Sequence, residues 1–294
     1  MDAEGVELYR APIDGSRCLR SAGRLRRLRL PLPPDPPPAE PAAACFLCHP
    51  ERDRLDRGPW PREGGALRVL GNAHPFAERT LLLAPAGEAH HRATPASLAP
   101  ELLAGLLRLP YDATFLAANG LDGHAVAAFV NVGRRAAQSK GHPHLQLVGF
   151  RSDRGPLDAS DAAAIAADLA AAASEQRRLP LGDGAAAVIP RQPAMTGEAW
   201  LELPDAAASD TGWRQAAIAT ARLAAGCSAG WSGDYNLVFR LVAPRLLRVL
   251  PRGVSERAGL EFAAPALLTT VVAATARESG LLWRAALESG RMAQ

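Results

Sequence analysis

The chain has 294 residues, enough for one large domain or two of ordinary size, and its 48% hydrophobic and 21% charged residues are typical of a folded globular protein. Its formal net charge of +3 is small and its basic residues form no long tract, which argues against nucleic acid as a partner. No segment approaches the roughly 18 apolar residues of a membrane span, and acidic residues precede any apolar run at the N-terminus, so we expect a cytoplasmic protein without a membrane partner.

The N-terminal region combines basic, proline-rich and cysteine-containing segments. The segment GRLRRLRL predicts a strand with one charged face, in preference to an RNA-binding arm. The proline-rich segment 30–44 is expected to run extended over the surface to Cys45. Cys45 and Cys48 form a C-x-x-C motif, whereas Cys18 and Cys227 stand apart in the sequence. We therefore expect the last two thiols to be unpaired, a pattern unlike that of a disulfide-stapled secreted protein.

Strand and helix patterns follow this region. The segments ALRVL (66–70) and RTLLLAP (79–85) have the composition of strands. The segment 94–109 has helical spacing, and we expect that helix to open at Thr94 with Pro95 just inside it.

A hairpin and a second helix complete the first half. The segments HAVAAFVNVG (124–133) and HPHLQLVGF (142–150) predict two strands joined by a polar turn. The alanine-rich segment 160–178 predicts a helix that Pro180 stops.

The second half repeats the pattern of the first. EAWLELP corresponds to RTLLLAP, DTGWRQAAIATARLAAG corresponds to the earlier helix, and YNLVFR with LLRVLP corresponds to the hairpin. We therefore expect an α+β fold built from a duplicated unit, with a first half over residues 1–180 and a shortened second half over 181–294.

The segment H-P-H-L-Q contains the residues best suited to chemistry. Alternate side chains of a strand share a face, so His142, His144 and Gln146 are expected to point one way and Leu145 and Leu147 the other. The alternative is a pair of structural histidines, but a hydrophobic core has no reason to place two imidazoles beside a carboxamide. A neutral imidazole can attack phosphorus and form a phosphoramidate, whereas a glutamine amide can hydrogen-bond a phosphoryl oxygen.

The spacing of the surrounding residues is more specific. The pattern N-x-G-x(5)-S-x-x-H-P-H-x-Q, which ends at Gln146, resembles the active-site signature of the galactose-1-phosphate uridylyltransferase family. ELYRAPIDG, ACFLC, GNAHPF, YNLVFR, LPR and AGLEF resemble further segments of that family, so the likeness extends over most of the chain. The resemblance implies a HIT-like fold with two tandem half-domains, each an antiparallel sheet with packed helices, and a homodimer.

The resemblance also implies roles for individual residues. His144 would be the nucleophile, Gln146 would contact the phosphoryl group and Ser139 would hydrogen-bond the diphosphate. The residues that would bind the nucleotide or the sugar are Asn72, Phe76, Asn131, Gly133 and Glu261.

A structural zinc site is implied as well. Two thiolates and two imidazoles form a closed tetrahedral site, and the family pattern draws these ligands from Cys45, Cys48, His142 and a histidine ahead of the first helix. The spacing favours His91, and a slip of one residue would exchange it for His90. A redox pair is the alternative function of the C-x-x-C motif.

Several departures from the family pattern affect the acceptor. Tyr9 replaces the usual arginine, Ala137 and Gln138 replace a usual glycine before the serine, and the second half lacks the usual H-x-H. We therefore expect nucleotidyl transfer from a nucleoside diphosphate sugar, with UMP favoured, to a sugar 1-phosphate or related phosphate. A nucleotide-sugar or dinucleoside polyphosphate phosphorylase is the alternative. A hydrolase, a nucleotide-binding protein without turnover and a zinc-stabilised interaction module are further hypotheses.

Overall fold

The computed structural model describes residues 6–10, 17–21, 40–61, 65–73, 75, 77–151, 162–191, 197–231, 233–252 and 276–292. The described part near the N-terminus includes a two-stranded antiparallel hairpin of β1 (Val6–Arg10) and β2 (Arg17–Ser21). The predicted strand GRLRRLRL lies outside the described residues, as does most of the proline-rich segment. Within the described chain, no helix is long and apolar enough to cross a membrane.

The main body is a ten-stranded antiparallel sheet. Its strands are β3 (Asp56–Trp60), β4 (Leu67–Gly71), β5 (Arg79–Pro85), β6 (His124–Val132), β7 (Leu145–Arg151), β8 (Arg178–Gly182), β9 (Ala185–Val188), β10 (Ala199–Glu202), β11 (Tyr235–Arg240) and β12 (Leu246–Pro251). They lie in the order β3-β4-β5-β7-β6-β11-β12-β10-β9-β8.

This strand order is symmetric about the junction of β6 and β11. The five strands on one side, β3-β4-β5-β7-β6, have the same relative order along the chain as β8-β9-β10-β12-β11 on the other. At the junction β6 pairs antiparallel with β11, with Asn131 directly opposite Asn236. The duplicated strand and hairpin patterns of the sequence therefore occupy equivalent places in one continuous sheet. The division into halves at residues 180 and 181 falls inside β8 and stays a prediction.

Helices cover one face of the sheet. The described helices are α1 (Pro100–Arg108), α2 (Ala113–Ala118), α3 (Ala162–Ala171), α4 (Asp210–Gly230) and α5 (Ala276–Met292). Helix α4 packs against α1, α5 and the second-half strands. Every second residue of the central strands enters the core beneath these helices, including Val130, Leu145, Leu147, Leu237 and Val249. The α+β fold class is confirmed.

Three boundaries differ from the prediction, two of them because of a proline. Helix α1 begins at Pro100 and not near Thr94, because the residue before a proline disfavours the helical conformation and Ala99 has a ψ of 138°. Strand β7 begins at Leu145, after Pro143, whose nitrogen has no hydrogen for the ladder. Helix α3 ends at Ala171, and Pro180 lies in the edge strand β8, where a missing donor is tolerated.

The largest buried side chain of helix α5 is that of Trp283. Trp283 is fully buried, packs against Trp231 with ring centroids 4.6 Å apart, and donates from Nε1 to the carbonyl of Gly197 at 2.7 Å. A β-carbon at Gly226 of α4 would lie 2.8 Å from the Trp283 ring, so glycine permits the close approach. The two helices therefore pack through the indole.

We expect Trp283→Ala to lower the free energy of unfolding by about 3–5 kcal/mol, because it leaves a cavity between α4 and α5 and removes a buried hydrogen bond. Denaturant unfolding followed by circular dichroism measures this loss. Leu281→Ala, on the same helix at a side chain that is 56% exposed, is the matched control. An equal effect of the two substitutions would contradict the assigned packing.

Candidate active site and metal centre

The turn between β6 and β7, residues 133–144, carries both histidines of interest and is called the histidine turn below. Gly133 has a φ of +84°, and a β-carbon there would lie 1.8 Å from the Asp234 carboxylate, so only glycine fits. Its N–H donates to Gln138 Oε1 at 2.7 Å, and the Gln138 N–H donates back to the Gly133 carbonyl at 3.1 Å. Ala137 has a φ of +63°, a conformation that glycine adopts without strain. The glutamine amide thus closes the first part of the turn where the family pattern has a glycine.

The rest of the histidine turn is held by distant parts of the chain. The Arg92 N–H donates to the Gly141 carbonyl at 2.6 Å. The Lys140 ammonium group lies 2.9 and 3.0 Å from the two oxygens of the Glu40 carboxylate. These contacts fix the backbone immediately before His142.

His144 is held in one tautomer. Its side chain is only 4% exposed, and its Nδ1 lies 2.8 Å from the His142 carbonyl. Because a carbonyl only accepts, Nδ1 carries the hydrogen and the lone pair of the neutral ring is on Nε2. Burial lowers the pKa of His144, more than the hydrogen bond to His142 raises it, which favours the neutral form. The neutral ring can therefore act as a base or a nucleophile through the lone pair on Nε2.

Three buried amides occupy the sheet face opposite helices α1 and α4. Gln146, Asn131 and Asn236 are each flanked along their strands by residues of the helix-covered core, so their own side chains point to the other face. Gln146 lies in register with Phe129 of β6 and Leu82 of β5. This face therefore presents amide donors and acceptors beside the end of the histidine turn.

Two of these amides join the halves of the sheet. Asn236 Nδ2 donates to Asn131 Oδ1 at 2.7 Å and to the Ala136 carbonyl of the histidine turn at 3.1 Å. Arg252, directly after β12, donates from Nε to Asn236 Oδ1. Burial lowers the pKa of Arg252 to about 10, which leaves the guanidinium charged at neutral pH. A buried positive charge from the second half is thus linked to Asn131 of the first.

His142 of the histidine turn and three side chains from other parts of the chain form a cluster. The Sγ and ring nitrogen atoms of Cys45, Cys48, His91 and His142 all lie within 4.8 Å of one another. Cys48 Sγ is 3.3 Å from His91 Nδ1 and 3.4 Å from His142 Nδ1. Two sulfurs and two imidazole nitrogens are the donor set of tetrahedral structural zinc sites, so this cluster could hold a metal ion such as zinc.

The surroundings of the cluster orient both imidazoles for metal binding. His142 Nε2 donates to the Pro85 carbonyl at 2.7 Å, and His91 Nε2 donates to the Glu40 carbonyl at 2.8 Å. Both Nδ1 atoms therefore direct a lone pair at the cysteines. Burial is the main cause that lowers the pKa of His142 to about 4 and raises that of the Cys48 thiol to about 12. A bound cation would replace the thiol proton and offset the burial of the thiolate.

The other predicted site residues differ in their position and in their exposure. Gly133 forms the first bend of the histidine turn, whereas Ser139 on the same turn is exposed. Asn72 is half-buried directly after β4, and its N–H donates to the Thr80 carbonyl at 3.2 Å. Phe76 and Glu261 lie outside the described residues. His90 is absent from the four-residue cluster, which contains His91.

The sequence motifs assigned no role in the site to Asn236 or Arg252, although both lie in segments, YNLVFR and LPR, that resemble the family. Asn236 contacts the histidine turn 100 residues away along the chain, and Arg252 reaches Asn236 on the neighbouring strand. A polar residue between two apolar residues of a predicted strand is the one signal that pointed to Asn236.

Comparison with known proteins places the fold. Neither a protein-family model nor a curated protein sequence matches the chain. A solved uridylyltransferase structure matches with a TM-score of 0.60 and 16% identity over 96% of this chain and 98% of the other. The structure of ADP-glucose phosphorylase from Arabidopsis thaliana with bound ADP-glucose matches with a TM-score of 0.60 and 13% identity over 96% of this chain and 98% of the other. The structure of yeast Ap4A phosphorylase in complex with Ap4A matches with a TM-score of 0.52 and 12% identity over 99% of this chain and 90% of the other. The chain therefore has the HIT-like fold of these proteins, as the resemblance of its motifs implied.

We expect Cys45→Ser to abolish tight metal binding and to lower the free energy of unfolding by about 2–4 kcal/mol, because a hydroxyl replaces one thiolate of four and the remaining donors stay buried. Metal content by mass spectrometry, about one ion per chain in the parent protein, and denaturant unfolding measure the two effects.

Cys227→Ala is the control for the loss of a buried thiol, since Cys227 lies in helix α4 outside the cluster. It should keep the metal. Equal metal content in Cys45→Ser and the parent protein would show that the cluster is not a metal site.

Proposed function

We propose that the chain is a nucleotidyltransferase in which His144 Nε2 forms a covalent bond to the phosphorus of a nucleoside monophosphate. The observation that carries this proposal is the buried neutral imidazole whose Nδ1–H is fixed on the His142 carbonyl, which leaves Nε2 as the free nucleophile. The shared fold with a uridylyltransferase and two phosphorylases of nucleotide substrates supports it.

The first step is an in-line displacement on the donor. Nε2 of His144 attacks the α-phosphorus of a nucleoside diphosphate sugar; a P–N bond forms, the bond to the bridging oxygen breaks, and the sugar 1-phosphate leaves with that electron pair. The ring becomes cationic as it reacts, and its Nδ1–H bond to the His142 carbonyl stabilises that charge. No proton has to leave Nε2 beforehand, because the neutral tautomer already presents a lone pair there.

The second step restores the enzyme. A phosphate oxygen of the acceptor attacks the same phosphorus, a P–O bond forms, and the P–N bond breaks with its electrons returning to Nε2. We assign Gln146 the stabilisation of the phosphoryl oxygens in both steps, since its NH₂ is a donor that cannot protonate a leaving group or activate water. We assign Asn131 and Gly133 the placement of the nucleotide, and Ser139 the outer diphosphate oxygens. A phosphate acceptor is already an anionic nucleophile and needs no general base, whereas water as the acceptor would need one.

We assign Cys45, Cys48, His91 and His142 to a structural Zn²⁺. When bound, the ion would neutralise the two thiolates and fix three chain segments without taking part in the transfer. His142 is the link, because the same residue supplies Nδ1 to the cluster and its carbonyl to His144. The redox alternative for the C-x-x-C motif leaves the two oriented imidazoles unexplained.

The acceptor distinguishes transfer from phosphorolysis. A sugar 1-phosphate as acceptor makes the chain a transferase, with a nucleotide sugar as product, whereas inorganic phosphate makes it a phosphorylase that releases a nucleoside diphosphate. Phosphorolysis is the second candidate function, supported by the absence of the H-x-H in the second half and by the two phosphorylases among the structures that share the fold. Assays of the purified protein with each acceptor separate the two, and UMP as the nucleotide remains our first choice.

We expect incubation with UDP-glucose, GDP-mannose, ADP-glucose or Ap4A, without acceptor, to add the mass of one nucleoside monophosphate to the chain. His144→Ala should lose this adduct and lower turnover by a factor on the order of 10⁴ or more, because no other group replaces the nucleophile. Intact-protein mass spectrometry and product analysis measure both effects.

His49→Ala is the matched control, because His49 is a neighbouring imidazole whose Nε2 pairs with Glu88 outside the cluster. It should keep the adduct and the parent rate. An adduct that persists in His144→Ala would refute the nucleophile, and the absence of any adduct or consumption with all four donors would favour a binding protein without turnover.

A separate prediction concerns Gln146. We expect Gln146→His to raise hydrolysis relative to transfer by roughly tenfold or more, because an imidazole can serve as the acid and base that water needs and an amide cannot. The ratio of free nucleoside monophosphate to transfer product, measured at a fixed acceptor concentration, gives the effect. If this ratio is the same in the variant and the parent protein, Gln146 does not protect the intermediate.

A further inference from the structure

A cavity of about 610 Å³ opens at the end of the sheet remote from the histidine turn. It is called the arginine cleft below, and its walls come from the beginning of β6, the end of β11, the beginning of β12, β10, α3 and the segment after α1. Its lining includes Tyr111, Trp200, Arg240, Val242, Arg245 and Arg248. None of the proposed catalytic or metal-binding residues lines it.

The symmetry of the sheet relates this cleft to the histidine turn. Strands β6 and β7 on one side of the junction correspond to β11 and β12 on the other, so the β11–β12 turn, residues 241–245, is the counterpart of the histidine turn. The histidine turn contacts the beginning of β11, where Gly133 meets Asp234. The β11–β12 turn in the same way borders the cleft together with His124 at the beginning of β6. The cleft therefore occupies the place of a second active site.

The chemistry of the counterpart turn is different. Its sequence is Leu-Val-Ala-Pro-Arg, which contains no histidine, cysteine or hydroxyl that could attack phosphorus. Arg240 holds the turn rigid, because its Nη1 donates to the carbonyls of Val242 at 2.6 Å and Pro244 at 2.8 Å. Tyr111 is fixed in the same wall, since its hydroxyl donates to the Arg240 carbonyl at 3.0 Å. The turn is thus a fixed frame without a nucleophile.

Three guanidinium groups give the cleft a positive lining. Among the described residues that form its walls there is no carboxylate. Arg248 is paired with the buried Glu198 at 2.7 Å, a carboxylate that also accepts from Trp200 Nε1 at 2.7 Å and so fixes that ring. Arg245 pairs with Asp205, whose side chain is 85% exposed, and Arg245 Nε is a buried donor without an acceptor in the described structure. An ion pair with an exposed carboxylate is weak, so Arg245 can bind an anion from the cleft.

The cleft also has aromatic and apolar walls. Trp200 and Tyr111 line it, and the Arg245 guanidinium lies 5.5 Å from the centre of the Tyr111 ring. Planar rings stack with nucleobases, and guanidinium groups bind phosphate with paired hydrogen bonds. The volume lies within the range of roughly 300–1,000 Å³ that is typical of small-molecule sites.

We propose that the arginine cleft is a second nucleotide site, the duplicated counterpart of the histidine turn, which binds a nucleoside phosphate without forming a covalent bond to it. Arg245 binds the phosphate, and the ring of Trp200 contacts the base. The proposal stands apart from the reaction at His144, since no residue of that site contributes to the cleft.

The test is isothermal titration of the parent protein with UMP, AMP and, separately, inorganic phosphate. One of the two nucleotides is expected to occupy two sites per chain. Arg245→Gln should weaken one site at least about tenfold, the loss of one charge-assisted hydrogen bond, and leave the other site and the transfer rate unchanged. Arg214→Gln is the matched control, because Arg214 pairs with the exposed Glu101 away from the cleft.

Val242→Asp is a second variant, which tests the cleft without replacing Arg245 and so does not depend on whether the fold tolerates that substitution. Val242 is 49% exposed at the edge of the cleft, so a carboxylate there disturbs no packing and repels an anion. It should weaken the same site as Arg245→Gln. Nucleotide binding that both variants leave unchanged, or inorganic phosphate that binds the parent protein as tightly as the nucleotide, would overturn the proposal. A single nucleotide site that both variants weaken would support the cleft and contradict nucleotide binding at His144.

Discussion

The pairing of β6 with β11 is the interaction on which the site depends. It joins two five-stranded arrangements into one sheet and places Asn131 opposite Asn236, both almost fully buried. A buried amide must satisfy its hydrogen bonds within the protein, and Asn236 does so by bonding both Asn131 and the backbone of the histidine turn. The second half therefore contributes hydrogen bonds that hold Asn131 and the histidine turn of the first half in place.

The Cys2His2 cluster and His144 are connected through a single residue. His142 directs Nδ1 at Cys48, donates from Nε2 to the Pro85 carbonyl and accepts at its own carbonyl from His144. These three contacts fix the peptide that orients the His144 ring. In the proposed mechanism a bound cation would therefore act by making this peptide more rigid, and it would add no charge to the reacting atoms.

The sequence predicted which side chains come together better than it predicted the bounds of the helices and strands that hold them. The H-P-H-x-Q spacing and the C-x-x-C motif identified side chains that the fold brings together, because both signals are local and depend on residue type. The starts of α1 and β7 were misplaced, since helical and strand periodicity continued through Pro100 and Pro143 in ways that the backbone cannot follow. The roles of Asn236 and Arg252 were not predicted because their partners are set by strand pairing, that of Asn236 across the junction and that of Arg252 between β11 and β12, which no local pattern encodes.

The duplicated sheet raises the question of what the second half does beyond supporting the first. The two turns at equivalent places have diverged in length and chemistry: one carries the histidines beside the Cys2His2 cluster, and the other is a short turn whose carbonyls accept hydrogen bonds from Arg240. The cleft beside the second turn has three arginines and two aromatic rings at its walls. Arg248 is paired with the buried Glu198, whereas Arg245 is paired only with an exposed carboxylate, so Arg245 can exchange that partner for an anion that enters the cleft.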